Sequence, residues 1–179
     1  MNHKKIEFSN PILKDRIEVL EHSEDVLLFR TFLEPNGRQT TLHYHSRLHE
    51  KFKIIEGELN VMVNDDEVTL RLGDEQMITP FTRHKFYNKS TEKVVFDVEI
   101  AVPRRMLQAL QIMYGLVEDG KTNKEGLPKN ILHTAIGINM MDAFSPKIPY
   151  FLQKIGISIL AGLGRLLGIE KMLIKKYGR

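Results

Sequence analysis

Residues 37–57 read GRQTTLHYHSRLHEKFKIIEG, and they carry the strongest signal in the chain. His43 and His45 are two residues apart, so on a β-strand both side chains point to the same face. Glu50 follows on what would be the next strand. Imidazole and carboxylate groups on a rigid strand framework suit a divalent metal ion such as Fe(II), Mn(II), Zn(II), Ni(II) or Cu(II). The chain has no cysteine, which excludes a thiolate site and any disulfide framework.

The sequence around this segment predicts short antiparallel strands from about residue 17 to residue 102. Apolar residues recur at every second position, at Leu59, Val61 and Val63 and again at Val68, Leu70 and Leu72. The polar triplet Asn64-Asp65-Asp66 between them predicts a hairpin turn. Several short strands at this spacing are typical of a closed barrel or a sandwich. We therefore expect a mainly β domain over residues 17–102.

The spacing of the fixed residues is similar to that of a known family, the cupin superfamily. Its first motif is matched in residues 37–57 and its second begins 15 residues later. The matching positions are Gly37, His43, His45, Glu50, Gly57, Gly73, His84 and Asn88. The chain resembles the small single-barrel bacterial members of that superfamily over roughly residues 25–102. The resemblance implies an antiparallel jelly-roll barrel with one divalent metal inside, on His43, His45, Glu50 and His84.

Two features of these motifs leave questions for the structure. His49 stands beside Glu50, and on a regular strand only one of the two can face the lumen; the motif selects Glu50. In the second motif the family's proline is displaced by one position, to Pro80, and its glycine is replaced by Phe81. We therefore expect the turn that delivers His84 to differ from the family's pattern.

The same period-two counting predicts walls for a ligand cavity. Thr41 shares a strand face with His43, Phe52 with Glu50, and Phe86 with His84. Such an apolar lumen with one metal ion would accept a small organic molecule. No general acid or base outside the ligand set stands out, so the sequence leaves the catalytic residues unassigned.

Past Pro103 the pattern becomes helical, and residues 103–179 are expected to form a C-terminal α-helical extension with a third helix from about 150 to 176. From Lys147 onward seven basic residues face one acid, which gives +6 against −3 for the first 146 residues. The longest uncharged run there, residues 155–164, is too short to cross a bilayer. This segment could dock on the barrel or a second subunit, close the barrel mouth, or lie on an anionic membrane.

Three function classes remain open from the sequence. The first is a metal-dependent enzyme, of oxygenase or isomerase type, acting on a small molecule in the lumen. The second is a non-catalytic binding or sensing protein, and the third an interaction scaffold. Nothing in the pattern favours nucleic acid. The charged N-terminus predicts a cytoplasmic protein, peripheral at the inner face of the membrane if residues 150–179 bind there. A homodimer is expected from the resemblance.

Overall fold

The structure is a computed structural model that describes residues 6–178. The expectation of a cytoplasmic protein rests partly on residues 1–5, which lie outside the described range, as does residue 179. The elements in chain order are β1 (Glu7–Asn10), β2 (Asp15–His22), β3 (Val26–Leu33), β4 (Tyr44–His45), β5 (His49–Glu56), β6 (Leu59–Val63), β7 (Asp66–Leu70), β8 (Glu75–Ile78), β9 (His84–Tyr87), β10 (Val94–Ala101), α1 (Met106–Glu118), α2 (Ile131–Met141), β11 (Ala143–Phe144), α3 (Tyr150–Leu166) and α4 (Ile169–Tyr177).

Two antiparallel sheets form the barrel. One has the strand order β1-β2-β3-β10-β5-β8 and the other the order β7-β6-β9. Their inner faces meet where Phe86 of β9 packs against Phe52 of β5 and Phe96 of β10, with ring centroids 5.9 and 5.0 Å apart. Burial alternates along β3 and β5 as the period-two pattern requires. The predicted fold class, an antiparallel β-barrel followed by helices, is confirmed. The strands begin at Glu7, ahead of the expected start at residue 17.

Gly57, the last fixed glycine of the first motif, turns the chain between β5 and β6. Its φ is +81°, a left-handed value that side chains with a Cβ rarely adopt. A Cβ there would also lie 3.0 Å from the carbonyl oxygen of Lys93. The glycine is therefore required by the backbone of the turn that follows β5, the strand that carries Glu50.

The helical extension packs on the barrel and adds a core of its own. Leu107, Leu110 and Tyr114 of α1 belong to the barrel core. A second apolar cluster joins α1, α2, α3 and α4 through Ile112, Leu116, Ile136, Ala161 and Leu173. The inner face of the extension is thus docked on the barrel. No helix in the described part of the chain is both long and apolar enough to span a membrane.

The expected single helix over residues 150–176 is two helices. Helix α3 ends at Leu166, and Gly168 takes a left-handed φ of +72° before α4 begins at Ile169. Glycine adopts this conformation without steric cost and is unfavourable inside a helix, so the chain breaks there. The break turns α4 back so that Tyr177 packs into the second core.

Candidate metal centre and cavity

Two neighbouring histidines, His43 and His45, meet a third, His84, which comes from β9. His43 and His84 are directly paired, since each backbone N–H donates to the other's carbonyl, at 3.1 and 2.7 Å. Their ring centroids are 4.4 Å apart, and the ring of His45 lies 5.0 Å from that of His43. One nitrogen of each of the three rings lies within 4.8 Å of the others. The structure therefore brings these three predicted ligands together.

Each of these rings is held by a backbone carbonyl on its outer side. The Nδ1 of His43 is 3.0 Å from the carbonyl oxygen of Thr41, and that of His84 is 3.0 Å from the oxygen of Thr82. The Nδ1 of His45 is 3.0 Å from the carbonyl oxygen of Met141. A carbonyl can only accept, so each Nδ1 carries a proton, and Nε2 of each ring has a free lone pair whenever the ring is neutral. This is the arrangement in which second-shell groups orient metal-binding imidazoles.

Glu50 completes the cluster, and His49 does not take part. Glu50 is buried on the inner face of β5, whereas His49 is exposed on the outer face. The Oε2 atom of Glu50 lies 3.0 Å from Nε2 of His84 and 3.9 Å from Nε2 of His45. Of the two neighbours that the sequence left as rivals, the structure turns only Glu50 towards the imidazoles.

The donor set fits a bound cation. Oε2 of Glu50 and Nε2 of His84 are both buried and face each other at 3.0 Å, so a positive charge, either a proton on Nε2 or a metal ion, has to lie between them. Two lone pairs at this distance repel unless a positive charge lies between them, and leaving such groups unpaired costs free energy. Three nitrogens and one oxygen match the ligands that borderline divalent metals prefer. His43, His45, Glu50 and His84 could therefore hold such an ion.

The electrostatics keep the imidazoles available. Burial lowers the pKa of His43 to about 3, helped by the neighbouring rings, so this ring is neutral at pH 7. Burial also lowers the pKa of His45. Burial opposes the charge on Glu50, yet the three surrounding imidazoles, His84 first, hold its pKa below the usual range. Burial opposes a charge on His84, but its contact with Glu50 raises the pKa of this ring, so the two groups share a proton that a bound metal ion would displace.

The turn before His84 keeps a left-handed residue although the family's glycine is absent. Phe81 has a φ of +64° and donates its backbone N–H to the carbonyl of His45 at 2.7 Å. Its exposed ring lies 5.8 Å from Tyr44 and 5.5 Å from Tyr150, the first residue of α3. The ring thus ties the turn to the helical extension, which offsets backbone strain of about 1–2 kcal/mol. Position 81 therefore has a left-handed backbone although its residue carries a large side chain.

Two substitutions separate these opposing effects. Phe81→Ala removes the ring and keeps the strain, whereas Phe81→Gly removes both. We expect the glycine variant to be more stable than the alanine variant by about 1 kcal/mol. Urea unfolding of both variants measures the difference, and an alanine variant that equals or exceeds the glycine variant would contradict it.

Asp142 supports the centre and was not singled out by the sequence. It ends α2 with a left-handed φ of 52°, is buried, and accepts hydrogen bonds from Ser46 and Arg47. The carbonyls at this helix end also face Nδ1 of His45. The helical extension thereby fixes the loop that carries His45. No spacing rule links positions 45 and 142, so only the packing of α2 on the barrel reveals the contact.

A cavity of about 700 Å³ opens beside the metal centre. His43, His45 and Glu50 lie in its wall, together with the predicted wall residues Thr41 and Phe86. Phe52 is not part of the lining; it is fully buried against Phe86 and Phe96. Helices α1, α2 and α3 also contribute walls, which period-two counting along strands could not find. The volume lies within the range of about 300–1,000 Å³ typical of small-molecule sites.

A buried acid lies in another part of this cavity wall. Asp15 accepts a hydrogen bond of 2.7 Å from the Tyr114 hydroxyl of α1. Burial nevertheless raises the pKa of Asp15 to about 7, from a usual value of 3.8. The folded protein therefore holds this proton more tightly than the unfolded chain does.

This shift predicts how stability depends on pH. A raised acid pKa lowers the free energy of unfolding as pH rises from about 4 to about 7. In this window the carboxyl group of the unfolded chain loses its proton, whereas the folded state still holds the proton or has to bury a charge. Asp15→Asn removes this dependence, and relative to it the wild type should lose up to about 4 kcal/mol across the window. Urea unfolding of both proteins at several pH values measures it. Parallel pH profiles would show that Asp15 titrates normally.

Comparison with known proteins places the barrel in a family. Residues 29–102 match the cupin domain family. An oxidoreductase from Arthrobotrys oligospora is 33% identical over 95 residues, which cover 49% of this chain and 38% of that protein. Tetracenomycin polyketide synthase protein TcmJ from Streptomyces glaucescens is 34% identical over 70 residues, which cover 38% of this chain and 47% of that protein. The chain thus matches less than half the length of either of these curated relatives.

One solved structure that resembles part of the chain is a RmlC-like cupin from Shewanella frigidimarina, with a TM-score of 0.49 at 14% sequence identity. The match covers 56% of this chain and 86% of that one.

Proposed function

Since residues 29–102 place this chain in the cupin superfamily, we propose that its barrel binds one divalent metal ion and, beside it, a small organic molecule on which the protein acts as a metal-dependent enzyme. The metal ligands in this proposal are His43, His45, Glu50 and His84. The observation that carries it is the convergence of three imidazole nitrogens, all within 4.8 Å of one another, beside the buried carboxylate of Glu50, whose Oε2 lies 3.0 Å from Nε2 of His84.

Charge arithmetic suggests which end of the ligand meets the metal. Three neutral imidazoles, one carboxylate and a dication leave the centre with one net positive charge. In a largely apolar cavity this charge favours an anionic oxygen group, such as a carboxylate or an enolate. The bound ion would supply polarisation of that group, and an iron ion would also supply redox chemistry.

The chain's own residues provide the surroundings of this chemistry. The carbonyl of Met141 fixes the ring of His45, and apolar side chains from the barrel and α1 line the cavity beside the centre, where a bound ligand would displace water. Exclusion of water strengthens each electrostatic interaction inside the cavity. An oxygenase or isomerase type of reaction is the proposal that these properties support best.

Ligand sensing without catalysis is the second candidate. One observation favours it: the carbonyl groups at the end of α2 accept a hydrogen bond from His45, one of the proposed metal ligands. Metal or ligand binding that moves the ring of His45 would therefore also move the helical extension. A ligand that binds one arrangement of the extension more tightly than another would shift its position.

Elemental analysis of the full chain purified without added metal tests the proposal. We expect close to one equivalent of a single transition metal. If the metal is iron, oxygen uptake with candidate ligands distinguishes the enzyme from the sensor. A protein that carries no metal, and that binds none of the five candidate ions in titration, would overturn the proposed centre.

We propose that the protein acts at the inner face of a membrane, which it binds through the outer face of α3. That face consists of exposed apolar side chains: Phe151, Leu152, Ile155, Ile159, Leu163 and Leu166. Exposed basic residues, among them Lys147, Lys154 and Lys171, surround it. A broad apolar face with a basic fringe suits an anionic lipid surface. A second copy of the chain, as in a homodimer, is the other occupant that the test below distinguishes.

A further inference from the structure

A second pair of buried polar atoms lies in the cavity wall, outside the metal centre. Asp15 on β2 and Thr31 on β3 are diagonal neighbours, because Ile17 pairs with Thr31 and Asp15 with Leu33. Only 8% of Asp15 and 1% of Thr31 is exposed. Within the described residues, Oδ1 of Asp15 and Oγ1 of Thr31 have no hydrogen-bond partner. Both residues line the cavity that the metal ligands share.

Two buried polar atoms without hydrogen-bond partners lower the stability of the fold unless a ligand bonds to them. A buried carboxylate oxygen and a buried hydroxyl each lose their hydrogen bonds to water, and the surrounding walls are Ile17, Phe29 and Val98. A valine at position 31 would have the same shape and avoid the cost. Tyr114 bonds the other oxygen of Asp15, so the free Oδ1 is held in position.

We propose that Asp15 and Thr31 form a subsite that binds a hydroxyl group of the ligand, distant from the metal. The ligand hydroxyl donates to Oδ1 of Asp15 and accepts from the Thr31 hydroxyl, so both unpartnered atoms are satisfied by one group. Tyr114 is a positioning residue that orients Asp15. This inference rests on the proposed function, because it assigns the other end of the same ligand.

The register of the sheet sets the length of that ligand. Thr31 pairs with Phe96, which pairs with Ile54, four residues along β5 from Glu50. At about 3.3 Å per residue this places the subsite roughly 13 Å along the strands from the metal ligand. The ligand class is therefore an elongated apolar molecule with an anionic oxygen group at one end and a hydroxyl at the other.

Matched pairs of acids test this proposal on the metal-loaded full chain. Decanoate is compared with 10-hydroxydecanoate, and dodecanoate with 12-hydroxydodecanoate, by calorimetry. At the chain length that spans the cavity, the hydroxy acid should bind at least about tenfold more tightly than the plain acid. Thr31→Val should remove most of this preference, because valine keeps the shape and loses the hydroxyl.

Thr122→Val is the matched control. Thr122 is also buried with an unpartnered hydroxyl, but it lies outside the cavity lining, so the preference should persist. Equal affinities for both acids of each pair would overturn the subsite and indicate that solvent satisfies Asp15 and Thr31. An equal preference for 12-aminododecanoate, or no binding of any acid, would also overturn it. Metal content, measured on the same samples, separates these outcomes from failure of the metal centre.

Discussion

Replacement of His84 by alanine should abolish stable metal binding. His84 supplies one of three converging imidazoles and is the residue closest to the carboxylate of Glu50. Loss of a group that merely orients a ligand costs about 10–100-fold in affinity, so loss of a ligand itself should cost more than about 100-fold. Metal content after dialysis, and the gain in melting temperature on adding metal, measure the effect.

His49→Ala is the control for this experiment. It removes a neighbouring imidazole from the exposed face of β5 and should leave metal content unchanged. Glu50→Gln keeps the size of the side chain but removes its charge, and it should lose metal as His84→Ala does. Full occupancy in His84→Ala, or loss of metal only in His49→Ala, would refute the assigned ligand set.

Introduction of a charge on the outer face of α3 should release the protein from anionic vesicles. Ile159 is 65% exposed at the middle of that face. Burial of an isoleucine in a lipid interface contributes roughly 1.5–3 kcal/mol, and Ile159→Asp both removes this and adds repulsion. We expect at least about tenfold weaker binding to vesicles of phosphatidylglycerol, measured by co-sedimentation at low salt.

Leu72→Asp provides the comparison. Leu72 is 73% exposed next to the hairpin of β6 and β7, so it matches Ile159 in exposure but belongs to the barrel. Its replacement should leave vesicle binding nearly unchanged. A wild-type protein that stays in the supernatant would refute membrane association. A dimer that Ile159→Asp dissociates would instead assign the outer face of α3 to a second copy of the chain.

The barrel and two of its imidazoles could be anticipated because their positions follow local rules. Side chains two apart on a strand share a face, so the placement of His43 beside His45 followed from spacing alone. The same rule required that only one of His49 and Glu50 face the lumen, but the choice of Glu50, and the inclusion of His84, came from the family resemblance. The helix break at Gly168 was missed because four glycines stand between residues 155 and 169, and sequence does not indicate which of them will leave the helical conformation.

Other features depend on segments that meet only after folding. Tyr114 and Asp15 are 99 positions apart, and His45 lies about as far from Met141. No periodicity joins such residues, because their contact depends on the order of strands in the sheet and on how α1 and α2 dock against it. Phe81 shows the converse case, in which a contact with Tyr150 compensates a backbone conformation that sequence alone disfavours.

The chain's local pattern was thus sufficient for the fold class, the basic and apolar character of the tail, and the identity of the residues that could hold a metal. Strand periodicity and motif spacing encode these directly. The depth of the cavity, the helices that wall it, and the buried pair of Asp15 and Thr31 arise from register and packing between distant segments. These long-range contacts decide how much space remains inside the barrel and which side chains face it.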